Sequence, residues 1–119
     1  MPSRILAVVL DCHRSREQAT FWCAALGYEV LRRWQDADGL TYVELGAAGR
    51  TMLLLQPVPE EKRVKNRLHL DLVPADGGQY DEVERLVGLG ATVLSDESRH
   101  PWVLLADPEG NEFCVLPPR

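Results

Sequence analysis

The chain has 119 residues, 45% hydrophobic and 26% charged, an ordinary globular balance that fits one domain better than two and can bury its own core. Thirteen basic against eighteen acidic residues give a net charge of -5 with no basic stripe, which argues against nucleic acid as a partner. Cys12, Cys23 and Cys114 stand in no C-x-x-C spacing, against a disulfide framework or structural zinc; with no signal-like N-terminus and no membrane-length apolar run, cytoplasmic residence is the expectation.

The apolar, β-branched run from Ile5 to Leu10 reads as a first strand. Ser15, with Gln18 three residues on, has capping-box spacing. Ala19, Trp22, Cys23 and Leu26 follow on one helical face, and Gly27 supplies the stop. Strands are predicted over 28–34, 40–45 and 51–56, separated by the turn signals Asp36 to Gly39 and Gly46 to Gly49. The polar stretch 57–66 holds two prolines and reads as a linker; its mixed charges suit a solvated segment. The pattern then restarts. A strand is predicted over 67–73, a cap at Asp76 and Gln79, and a helix with Tyr80, Val83, Leu86 and Val87 on its apolar face. Gly88 or Gly90 ends it, and strands follow over 91–94, 101–106 and 112–116, with Asp107 to Asn111 as a turn.

The order is β-α-β-β-β twice: module one over 4–56, a linker over 57–66, module two over 67–116. Leu26 to Leu31 matches Leu89 to Leu94 at four of six positions, an offset of 90 - 27 = 63 residues. The same offset lays Ile5 to Leu10 over Leu68 to Val73. The class is therefore α+β: two modules forming a curved mixed sheet around a central cavity, helices on the outer face. A small-molecule site is expected in that cavity.

Asp11-Cys12, the run Phe21 to Val30, the strand Asn66 to Leu72 and the hairpin Asp107 to Phe113 together resemble the glyoxalase-like branch of the vicinal-oxygen-chelate superfamily, over almost the whole chain. The resemblance implies a fold of paired modules, frequent homodimers, and in metal-dependent members a divalent cation that chelates two adjacent substrate oxygens. Other members bind a drug with neither metal nor catalysis. It also implies four ligand positions. His69 fills the fifth-strand one, and the 63-residue offset puts Leu6 at the first-strand one. The fourth-strand position falls at Leu54 or Gln56, and the last at Cys114, with Glu112 on the same strand face. Of these, His69 and Glu112 are the metal-ligand candidates. The set is short of ligands, so either no cofactor or a weakly held divalent metal is expected, and classical glyoxalase I activity is not.

Asp71 shares a face with His69, where it can orient the imidazole, act as a base, or pair with Lys65 or Arg67. His69 itself reads equally as a sheet histidine held by hydrogen bonds. Cys114 reads as a small buried hydrophobe, or as a reactive thiol if His69 is its cationic neighbour. Cys12, Cys23 and Trp22 read as packing residues. Trp34 and Trp102 stand in strands near turns, where they pack or line the cavity. Two functions follow. One is a binding protein holding an apolar or aromatic small molecule with Trp34, Gln56, Trp102 and Cys114. The other is a lyase or isomerase acting next to a carbonyl through His69, Asp71 and Glu112.

Overall fold

In a computed structural model describing residues 1–119, the first elements are β1 (Val8–Cys12), α1 (Ser15–Leu26), β2 (Glu29–Gln35), β3 (Thr41–Ala47) and β4 (Arg50–Pro57). They are followed by β5 (Leu70–Leu72), α2 (Gln79–Leu89), β6 (Thr92–Ser95), β7 (Val103–Ala106) and β8 (Glu112–Val115). The class is α+β, with β-α-β-β-β run through twice. The strands form two four-stranded sheets, ordered β1-β4-β3-β2 and β5-β8-β7-β6. In each sheet the first strand lies parallel to the last and the other pairs are antiparallel. A helix between the first and second strands allows this, because a parallel partner needs a long crossover. The chain divides into two compact units, Met1–Glu61 and Lys62–Arg119.

In the first unit, strand alternation sorts the side chains. Val43 and Leu45 pair with Leu55 and Leu53, and all four are almost fully buried. Ala19, Phe21, Trp22 and Ala25 of α1 supply the matching layer, with Phe21 edge-on to Trp22 at 5.1 Å. Gly27 ends the helix with φ at 67°, the left-handed conformation that glycine adopts without strain. The start differs from the predicted cap. Arg14 occupies the cap position, and Ser15 is already helical. Its hydroxyl donates to the Thr41 carbonyl at 2.7 Å, tying α1 to β3 instead of capping the helix.

In the second unit, Val103 and Leu105 pair with Val115 and Phe113, again fully buried. Val83 and Leu86 of α2 join them. Two more residues expected on that face do not: Tyr80 and Val87 are exposed, and the Tyr80 hydroxyl donates to Asp96. The helix begins at Gly78, later than the predicted Asp76. There the Asp81 carboxylate accepts the Gly78 N–H at 3.3 Å. The Gln79 side chain reaches out of the helix and donates to the carbonyls of Pro101 and Val115.

The first strands depart most from the sequence pattern. Ile5 and Leu6 lie outside β1 and are exposed, and β5 spans three residues where seven were predicted. The 63-residue offset holds at Gly27 and Gly90 and where Glu29 and Thr92 open β2 and β6, but shortens to 60 by the third strands, where the pair Val43–Leu55 answers Val103–Val115 (103 - 43 = 60). It fails before the helices. Residues 73–78 connect β5 to α2, six residues against the two, His13 and Arg14, that connect β1 to α1. Leu10 pairs with buried Leu55 and Leu70 with buried Phe113, so even-numbered residues face the helix in both first strands. His69 is odd-numbered, on the opposite parity. Leu6 is therefore not its counterpart.

Candidate functional site

Each sheet has one face under its helix and one face free of it. In the second sheet, alternation places Asp71, Leu104, Cys114 and Leu116 on the free face, because their neighbours Leu105, Phe113 and Val115 are buried under α2. His69 joins them just before β5. Its Nε2 lies 3.5 Å from Asp71 Oδ1. Ligand atoms of His69, Asp71 and Cys114 all lie within 4.8 Å of one another. Asp71 and His69 are exposed, whereas Cys114 is buried, so the cluster opens to solvent on one side with the thiol as its floor.

The thiol is neutral at pH 7. Burial pushes the Cys114 pKa up, the Asp71 carboxylate pushes it further, and the Lys65 ammonium opposes them weakly. Glu112 stands on the same strand face but points elsewhere. It accepts from Lys62 Nζ and from the Asn66 backbone N–H, both at 3.0 Å. Burial works to raise this carboxyl, but the Asn66 N–H and the Lys62 ammonium outweigh it and hold the pKa below the ordinary glutamate value. Asn66 also donates to Asn111, whose own amide bonds Asp107 in the final turn. Glu112 is thus the post that moors residues 62–66, and the structure does not bring it into the cluster with His69.

The remaining candidates are dispersed. Trp34 stacks on Tyr42 with ring centroids 4.1 Å apart, and its indole N–H donates to Glu44. Gln56 is half-buried on the same free face of the first sheet, beside Asp11, and its backbone carbonyl faces the Cys12 thiol. Trp102 is partly exposed and stacks on His100 at 4.4 Å. Sequence reasoning missed Lys62 and Asn66, and it missed Tyr42 and Glu44 as the residues that fix Trp34. Period-two alternation through β3 carried the signal for the last two.

The donor set decides which cation fits. One imidazole nitrogen, one carboxylate and one sulfur suit zinc and its borderline neighbours. Manganese and magnesium call for several oxygens, and Asp71 supplies the lone carboxylate. A borderline cation would be held by His69, Asp71 and Cys114, leaving a position for an outside ligand.

The β-α-β-β-β order run through twice is the fold of the vicinal-oxygen-chelate superfamily. Residues 7–116 match the glyoxalase-like domain, and the chain belongs to that family. Solved structures share the fold. The fosfomycin resistance protein FosX of Listeria monocytogenes, in a mutant form complexed with Mn(II) and dihydroxypropylphosphonic acid, superposes with a TM-score of 0.78 at 13% identity, over 98% of this chain and 93% of that one. FosX of Mesorhizobium loti gives 0.74 at 9% identity, over 98% and 92%. The trypanothione-dependent glyoxalase I of Leishmania major gives 0.71 at 17% identity, over 97% and 86%. Likeness at these identities establishes the fold alone. No curated protein matches the chain. No helix is long and apolar enough to cross a membrane.

Proposed function

We propose that the chain binds a small apolar or aromatic molecule on the free face of its second sheet, with His69, Asp71 and Cys114 anchoring the ligand's polar end. The observation that carries this reading is the convergence of those three side chains within 4.8 Å, beside half-buried Leu104 and Leu116. A few convergent polar groups set among apolar ones are the usual makeup of a small-molecule site. The His69 ring accepts or donates, the Asp71 carboxylate accepts, and the Cys114 S–H donates weakly, which suits a ligand carrying a hydroxyl or carbonyl. Trp34 and Gln56, on the free face of the first unit's sheet, and Trp102, stacked on His100, stay separate ligand-binding candidates.

The second reading is a lyase or isomerase acting next to a carbonyl. The 3.5 Å approach of Asp71 to His69 favours it, because a carboxylate that orients an imidazole is the arrangement of a general base. A borderline cation at the cluster would supply polarisation of a ligand oxygen. Glu112, bound to Lys62 and the Asn66 N–H, would have to leave those partners to assist.

The test is a thermal-shift and tryptophan-fluorescence screen of aromatic carbonyl and hydroxyl compounds, repeated on His69→Ala and Asp71→Asn. Hits that lose most of their affinity in both variants and emerge chemically unchanged support the binding reading. Turnover that vanishes with His69 supports the enzyme. Hits indifferent to both substitutions remove this face from consideration. A homodimer is part of the proposal, supported by the open outer edges of β2 and β6 and by exposed Ile5, Leu6, Val64 and Leu68; sedimentation velocity tests it.

A further inference from the structure

On the helix side of the first sheet, α1 lies chiefly over β3 and β4, which leaves the edge strand β2 partly uncovered. A groove of about 470 Å³ runs between them. Its floor is small and apolar: Ala19, Cys23 and Ala24 from one stripe of α1, and Val30 from β2. The left-handed turn at Gly27 doubles the chain back and sets Val30 beside that stripe. The Cys23 thiol is neutral there. Burial raises its pKa, Arg33 lowers it, and Glu29 raises it again.

Two guanidiniums rim the groove, Arg16 from α1 and Arg33 from β2. Neither meets a carboxylate. The neighbouring Arg32 is paired with Glu44, and Arg85 and Arg99 have their own glutamates. In a chain of net charge -5, two cations left unneutralised over one apolar floor form a local inversion of the molecule's sign. Glu29, the nearby acid, acts on Cys23 but does not line the groove.

From these observations we infer that the groove between α1 and β2 is a binding site for a small organic anion, an apolar body carrying one carboxylate, sulfonate or phosphate group. The body lies on Ala19, Cys23, Ala24 and Val30, and the anionic group lies between Arg16 and Arg33. Carboxylate, sulfonate and phosphate each present two oxygens to the paired N–H donors of a guanidinium. The volume is in the range of sites for metabolite-sized ligands. This site stands on residues that the free-face reading does not use.

Anilinonaphthalene sulfonate is a suitable probe, with neutral phenylnaphthylamine as its uncharged control. The expected result is saturable binding of the sulfonate that weakens about tenfold in Arg16→Gln/Arg33→Gln and falls with added salt. The neutral probe loses little, and backbone amide shifts on binding centre on Thr20, Cys23 and Val30. Both arginines are exposed, so the variant keeps its fold, which its melting temperature checks. Unchanged sulfonate affinity in the double variant overturns the inference. So does an absence of saturable binding. Binding that His69→Ala weakens while the arginine variant does not assigns the probe to the other face and likewise overturns it.

Discussion

Asp71 and Cys114 are Cα partners across the parallel pair β5–β8, and both side chains stand on the face away from α2. Burial holds the thiol protonated, and the carboxylate adds to that effect. With iodoacetamide at pH 7.5 and mass spectrometric readout, native Cys114 is expected to alkylate far more slowly than the unfolded chain. Asp71→Asn removes the nearby negative charge and is expected to speed that reaction about three- to tenfold. An unchanged rate would show that burial alone governs the thiol.

Cation preference follows from the same cluster. Zinc is expected to survive desalting in greater amount than manganese, and His69→Ala and Cys114→Ala are each expected to abolish the difference. Elemental analysis of the desalted proteins reads this directly. Equal retention of manganese would mean that the imidazole and thiol are not the ligands.

Glu112 gives a pH-dependent term in stability. Its pKa is depressed in the folded chain, so its contribution is present above the ordinary glutamate value of about 4.3 and is lost as pH falls through the lower folded value. Glu112→Gln is expected to cost about 1–3 kcal/mol at pH 7 in urea denaturation. The gap between wild type and variant should close on acidification below pH 4. A gap that persisted there would put the loss down to packing.

Gly46 sits at the irregularity where β3 turns into β4. A Cβ there would lie 1.8 Å from the Arg50 carbonyl oxygen, a backbone atom that cannot move aside alone. Gly46→Ala is expected to destabilise by about 2–4 kcal/mol. Two residues on, Ala48 holds φ at 53°, which glycine adopts more easily, so Ala48→Gly is expected to stabilise by about 0.5–1 kcal/mol. Thermal melts of the two variants, moving in opposite directions, check both.

The order of elements was legible because local signals mark it. Gly27 and Gly90 stop helices, Asp107 to Asn111 turn the last hairpin, and buried strands alternate as Val43 and Leu45 do. Boundaries failed where composition outruns pairing. Ile5 and Leu6 look like strand residues, yet β4 offers them no partners. Ser15 looks like a cap, yet its hydroxyl is taken by Thr41, a contact 26 residues away. Asp71 was legible beside His69 from period-two alternation, whereas Cys114 was reached only through the resemblance, since it joins them by register and not by proximity in sequence. Glu112 shows the converse. Its ion partner Lys62 lies 50 residues earlier, in a stretch that reads as an ordinary solvated linker.

The parallel pairs β1–β4 and β5–β8 also set the order in which each unit can assemble. Val8 meets Leu53 and Leu70 meets Phe113, separations of 53 - 8 = 45 and 113 - 70 = 43 residues. On the ribosome, the opening strand of each unit must therefore wait for the closing one to emerge before its backbone groups are satisfied. Antiparallel hairpins form first and the parallel strand is added last, after the larger loop-closure entropy is met. A nascent chain halted before residue 50 would expose β1 as an unpaired ribbon, open to chaperones and to neighbouring chains.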